Sequence, residues 1–440
     1  MKKPVFSVLC LIFIAFSANA QYKYSVRAMG YGGKILPLSK NLELTATGFV
    51  WGGEVAFEFQ PTGKYQWEQF WNFPTIGVGL VGLDLGNPKI LGQAFAVYPY
   101  LLVPAVHRRH FQLNYKIGIG TSFITKTWKR CDTENGVNAP TANSAIGSIM
   151  NIYLNTGFNF QFPINDLFAI TADLGYSHMS NGSFITPNTG FNILYGQIGA
   201  KYSFEKCHEC RFVKNPAFEL PYDFMVNIGV SAGVRQLYYK ENKYYPVGAA
   251  NIGITAPIGN WYALGGSFDF FFDGAFNQKY ENDWLHSFER YYLTENRTEN
   301  QMRFGVSINN EFIIGRLTGI FDWGIYLYNP LKNFENGHDI VMYNDKKPYN
   351  KGIFYKYNIE KEDGWNYFRI GLRYRFWDNL FVSVNLKTHL QKAEMITFGV
   401  GYYLPFAQAG KYATMTKKAK SYNFYSFRKK AAPDFPTPWK

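Results

Sequence analysis

The chain has 440 residues, a formal net charge of +13 and 18% charged residues, set against 19% aromatic residues and 41 glycines. Beyond the first twenty residues nothing carries the ~20 consecutive apolar residues of a membrane-spanning helix, and a mean hydropathy of −0.21 excludes a helical membrane bundle. The charge is not a nucleic-acid signal: Lys2, Lys3 and the basic tail 408–440 hold most of it, and the modest remainder fits attraction to anionic head groups.

In chain order, the first element is a processing segment. Lys2 and Lys3 precede the apolar run from Val5 to Phe16, and Ala18-Asn19-Ala20 supplies small residues for cleavage, so 1–20 reads as a signal peptide and the mature chain as exported. Period-two alternation then predicts eight strands near 22–31, 49–60, 74–84, 92–104, 111–124, 147–162, 167–180 and 191–204. Eight more follow near 222–237, 244–256, 261–273, 302–314, 319–328, 366–376, 379–390 and 394–406. Short turns, such as Pro61-Thr62-Gly63, alternate with long polar loops such as 125–146 and 329–365. That alternation, with aromatic-rich strands, is the layout of an outer-membrane barrel.

The expected fold class is therefore all-β, a transmembrane antiparallel barrel. The polar stretch from Glu205 to Pro221 is longer than any short turn and divides the strands evenly. Two consecutive eight-stranded barrels are favoured over one sixteen-stranded barrel, with units 21–206 and 222–407 and a periplasmic linker 207–221 between them. Cys207 and Cys210 have no second pair of ligands, so a local disulfide is expected rather than a zinc site, leaving Cys131 unpaired. No cluster has convincing metal-ligand spacing, and no metal or cofactor is expected. The tail 408–440 is expected to stay extended in the periplasm, given Pro433, Pro436 and Pro438.

One strand carries candidate chemistry. Ile170, Ala172, Leu174 and Tyr176 share one face of 167–180, with Thr171, Asp173 and Gly175 on the other. His178 and Ser180 continue the apolar, lipid-facing parity, and residues two apart on a strand stand ~7 Å apart on one face. Asn192 has the apolar parity of the next strand, so the hairpin places all three on one lipid-facing surface near the outer rim. Polar groups in hydrocarbon need partners. A serine esterase supplies them, with Ser180 as nucleophile, His178 as general base and Asn192 orienting the imidazole. Asn181 and the N–H groups of Gly182 and Ser183 are the expected oxyanion donors. The plain alternative is that these residues sit in the head-group zone, where polar side chains are ordinary.

The run His178-Met179-Ser180-Asn181, followed by Pro187-Asn188-Thr189-Gly190-Phe191-Asn192, resembles the signature of the lipid A 3-O-deacylase (PagL-type) family. The resemblance implies an eight-stranded outer-membrane barrel over about 21–206 that hydrolyses an ester-linked acyl chain of lipid A. It implies a triad of Ser180, His178 and Asn192, with Asn188 in substrate binding. The family often carries Glu where this chain has Asn192. A faint echo at Asn379-Leu380-Phe381 and His389 lacks the nucleophile, so the second half is expected to be non-catalytic: supporting, docking or forming a homodimer. The rival reading is a pore, receptor or scaffold.

Overall fold

A computed structural model of the chain describes residues 22–61, 63, 65–129, 143–204, 223–237, 243–277, 298–330, 352–357, 363–389 and 392–406. The expected signal peptide 1–20, the linker with Cys207 and Cys210, Cys131 and the basic tail lie outside the described residues. The described residues form sixteen strands: β1 Tyr22–Ile35, β2 Val50–Pro61, β3 Thr75–Asp84, β4 Gln93–Arg108, β5 Phe111–Ile124, β6 Met150–Pro163, β7 Phe168–Ser180 and β8 Phe191–Ser203. The second set is β9 Phe224–Arg235, β10 Tyr245–Pro257, β11 Tyr262–Asp273, β12 Met302–Ile314, β13 Leu317–Tyr328, β14 Asn366–Arg375, β15 Leu380–His389 and β16 Lys392–Phe406. Two short helices, α1 Lys40–Thr45 and α2 Gln66–Phe70, sit in loops.

All pairing is antiparallel and local, and each set closes on itself. β1 pairs with β8, and β9 with β16. The fold is two closed eight-stranded barrels, and the sixteen-stranded alternative is ruled out because no ladder joins β8 to β9. Closure is what a membrane demands, since an open edge would leave backbone groups unpaired in hydrocarbon.

The alternation that marks the strands separates two environments. Outward positions such as Leu174, Leu194 and Ile198 are more than half exposed. Inward positions fill the lumen with balanced charge. In the first barrel Arg27 meets Glu54, Glu58 and Asp173. Lys116 reaches Glu54 and Asp173 at 3.3 and 2.9 Å, and Lys201 reaches Glu58 at 2.7 Å. Tyr98 and Tyr100 donate to Glu54 and Glu58. The second barrel repeats the arrangement with Arg369 on Asp269 and Asp322, Arg373 on Glu311, and Arg303 and Lys387 on Glu394. Eight strands leave an interior just wide enough for side chains, and here ion pairs and tyrosines occupy it. A pore reading finds no support in such interiors.

The barrels touch at both rims. At the turn side, the Trp71 indole N–H donates to the Ile313 carbonyl at 2.7 Å and packs edge-on against Trp261. At the loop side, the chain following β7 lies against β9 and β16. Strands β8, β1 and β2 separate these two points around the first barrel. A strand tilt of roughly 35–45° carries a strand that far around a small barrel between one rim and the other, so both contacts fall on one side.

Candidate active site

β7 and β8 form a hairpin whose ladder sets His178 opposite Asn192. His178 and Ser180 share the outward parity of β7 with Tyr176, and Asn192 shares that of β8 with Leu194. Asp173 faces the lumen, bound to Arg27, Lys116 and Asn159. The parity argument therefore puts the three candidate residues on the wall that faces lipid, at the loop-side rim.

Their geometry is that of a relay. His178 Nε2 lies 2.8 Å from Ser180 Oγ, and His178 Nδ1 lies 2.7 Å from Asn192 Oδ1. An amide oxygen can only accept, so Nδ1 carries the proton and Nε2 is left with the lone pair that receives the serine hydroxyl. Ser180 and Asn192 are 5% and 4% exposed, so the pair is shielded although it lies on the outer wall. Tyr176, one outward position below His178, also donates its hydroxyl to Asn192 Oδ1. Sequence reading placed Tyr176 on the right face but counted it as apolar wall; its shared parity with His178 was the available signal. Asn192 Nδ2 is buried and has no partner.

The loop from Asn181 to Gly190 folds back over this site. Gly190 adopts φ +74°, and a Cβ there would stand 2.8 Å from His178 Cε1, so only glycine lets the chain pass so close to the ring. Asn181 was expected among the oxyanion donors, but its donors are engaged. Its N–H goes to Asn188 Oδ1 at 2.9 Å, and its side-chain amide to Ser148 Oγ and the Ile185 carbonyl at 2.6 and 2.9 Å. Asn181 thus folds the loop. Asn188 shows the reverse: its oxygen is used, while Nδ2 is buried without a partner. Gly182 and Ser183 both adopt positive φ, +60° and +66°, and among the described residues their N–H groups donate to no protein acceptor.

The echo in the second barrel does not form a second site. His389 ends β15, the seventh strand of its barrel as β7 is of the first, but it is buried in the lumen, 2.7 Å from the Tyr326 hydroxyl. The adjoining ladder shifts register between Lys387 and Thr388. Gln391 lies outside the described residues.

Residues 51–201 match the family model for lipid A 3-O-deacylase (PagL), and residues 221–341 and 335–406 match that for the acyloxyacyl hydrolase C-terminal domain. No curated protein matches the chain. Solved structures similar to it include the Neisserial surface protein A, at 10% identity over 41% of this chain and 95% of that one, with a TM-score of 0.24. The FrpB iron transporter from Neisseria meningitidis matches at 9% identity over 88% and 69%, with a TM-score of 0.21. Family match, closed barrels and hairpin motif agree: the chain is a lipid A 3-O-deacylase-like ester hydrolase of the outer membrane, its first barrel matching the lipid A 3-O-deacylase (PagL) family.

Proposed function

We propose that the chain removes an ester-linked acyl chain from lipid A in the outer leaflet, with Ser180 as nucleophile. The observation that carries this reading is His178, bridging Ser180 Oγ and Asn192 Oδ1 at 2.8 and 2.7 Å on the lipid-facing wall. In the first step Ser180 Oγ bonds to the ester carbonyl carbon as its proton passes to His178 Nε2. The negative charge that develops on the carbonyl oxygen needs donors already in place. Among the described residues Asn188 Nδ2 and the N–H groups of Gly182 and Ser183, in the loop that follows the nucleophile, donate to no protein acceptor, and these are the donors assigned to that charge. The intermediate collapses by breaking the bond to the sugar oxygen, which takes the proton from Nε2. Water then gives a proton to Nε2 and attacks the acyl-Ser180; the fatty acid leaves and Ser180 recovers its proton.

The missing acid has a physical consequence. Asn192 fixes the imidazole tautomer but brings no charge to the imidazolium that forms, so turnover is slower than with a carboxylate. The first barrel acts as the catalytic unit; the second, whose His389 at the outer end of β15 is buried in its lumen, does not. Ser180→Ala tests the reading. Mass spectrometry of lipid A from cells expressing the variant is expected to show full acylation, against loss of one acyl chain with the unaltered protein, while the variant still migrates as a folded barrel. Acyl loss by the variant would remove Ser180 from the chemistry.

A further inference from the structure

The second barrel meets the first at one functionally charged place, the six residues directly after the nucleophile. Gln236, just past β9, grips this segment twice: its N–H donates to the Ser183 carbonyl at 2.9 Å, and its side-chain oxygen accepts from the Thr186 N–H at 3.1 Å. From β16 the Ala393 carbonyl accepts the Ser183 hydroxyl at 2.6 Å. Gly182 lies flat against the same barrel, where a Cβ would stand 2.3 Å from Ile396. Phe184 packs on Tyr244 with ring centroids 5.6 Å apart. Gln236, Ser183 and Gly182 are all buried at this contact.

The first barrel fastens the same loop only in part. Its bonds run through Asn181, to Asn188, Ser148 and Ile185, and at the far end of the loop through Thr189 and Gly190, to the Ser144 and Ala145 carbonyls. The hydrogen bonds made by the Ser183 carbonyl and hydroxyl go to the second barrel. Yet Ser183 is held at φ +66° beside Gly182 at +60°, a conformation that a side-chain-bearing residue keeps only where its surroundings impose it. Among the described residues the N–H groups of both residues donate to no protein acceptor. The turn closes on itself through the Phe184 N–H on the Asn181 carbonyl at 3.2 Å, and its outer side, the Ser183 carbonyl and hydroxyl, is held by the second barrel.

We propose that the second barrel is a working part of the esterase: Gln236 and the Ala393 carbonyl are positioning elements that hold the Gly182 and Ser183 N–H groups ready for the oxyanion. The proposal rests on the reading of Ser180 as nucleophile. It gives the second barrel a task that needs no catalytic residue of its own, and it ties the transition state of one barrel to a side chain of the other.

The test uses the full chain in detergent–lipid A mixed micelles, with fatty-acid release as readout and heat-modifiable gel migration as the check on folding. Gln236→Ala and Ser183→Ala each remove one clasp, from opposite sides of the contact, so one misfolded variant leaves the other to decide. Each is expected to lower kcat about tenfold with KM changed less than twofold, below the 10²–10³ seen when an oxyanion donor is deleted outright. Gln236→Glu keeps the accepting oxygen and is expected to retain most of kcat. A phosphonate ester that mimics the tetrahedral intermediate should lose affinity for the alanine variants in step with kcat. Unchanged kcat in both folded alanine variants, or a loss confined to KM, overturns the proposal. Ser180→Ala run alongside separates the two ideas: if it retains activity, the nucleophile assignment fails, whereas an inactive Ser180→Ala beside unimpaired Gln236→Ala defeats the clasp alone.

Discussion

Replacing Asn192 by aspartate puts the reading of the relay at risk in a single step. The side chains are the same size, and the oxygen that faces His178 Nδ1 at 2.7 Å stays where it is. The second carboxylate oxygen takes the place of Nδ2, a buried group with no partner to lose. What changes is charge. An imidazolium and a carboxylate with charge centres ~4 Å apart attract by about 4 kcal/mol at an effective dielectric of ~20. Asn192 is 4% exposed, so desolvation of the new carboxylate offsets part of this, while the Tyr176 hydroxyl already donates to that position. A net gain of about 1.5–3 kcal/mol for the transition state corresponds to a kcat roughly 10- to 100-fold higher. The carboxylate also favours the protonated ring, so the acid limb of the pH–rate profile moves to higher pH. Fatty-acid release from lipid A micelles across pH measures both effects. A folded variant with unchanged or lower kcat and an unmoved profile would show that Asn192 does not orient the general base.

Two further outcomes follow from contacts already described. Tyr176→Phe removes the second donor on Asn192 Oδ1 and frees the amide to present Nδ2 to the ring, which would strip Nε2 of its role; kcat is expected to fall roughly tenfold, and to fall much less in an Asn192→Asp background, as a double-mutant cycle reads directly. Arg27→Ala leaves Glu54, Glu58 and Asp173 with only Lys116 and Lys201 in the sealed lumen, and breaking such a buried network is expected to cost about 3–5 kcal/mol, seen as a lower temperature for the folded-to-unfolded gel shift.

The barrel architecture was legible because lipid and lumen impose opposite demands on alternate residues, and that period survives along each strand. Leu174 against Asp173, or Ile198 against Gln197, can be sorted by parity alone. The same rule placed His178, Ser180 and Asn192 on one wall, which no search for a conserved pattern was needed to see. Parity says which face a residue occupies, not what it touches there. Tyr176 was assigned the correct face and still missed as a partner of Asn192. Asn181 was read as an oxyanion donor because it follows the nucleophile, whereas its bonds to Ser148 and Ile185 come from the way the loop folds. Gln236 was out of reach altogether: it is over fifty residues from Ser180, in a separately closed sheet, and local periodicity carries no information about how two closed surfaces meet.

The rim contacts also bear on how the molecule meets bilayers of different thickness. A single barrel relieves a mismatch between its apolar band and the hydrocarbon by tilting. Here Trp71 holds Ile313 at one rim and Ser183 holds Ala393 at the other, so the two barrels are fastened at both ends. Tilting one barrel alone would break these rim contacts, so a mismatch between apolar band and leaflets falls more on the lipids beside the pair than on the tilt of either barrel.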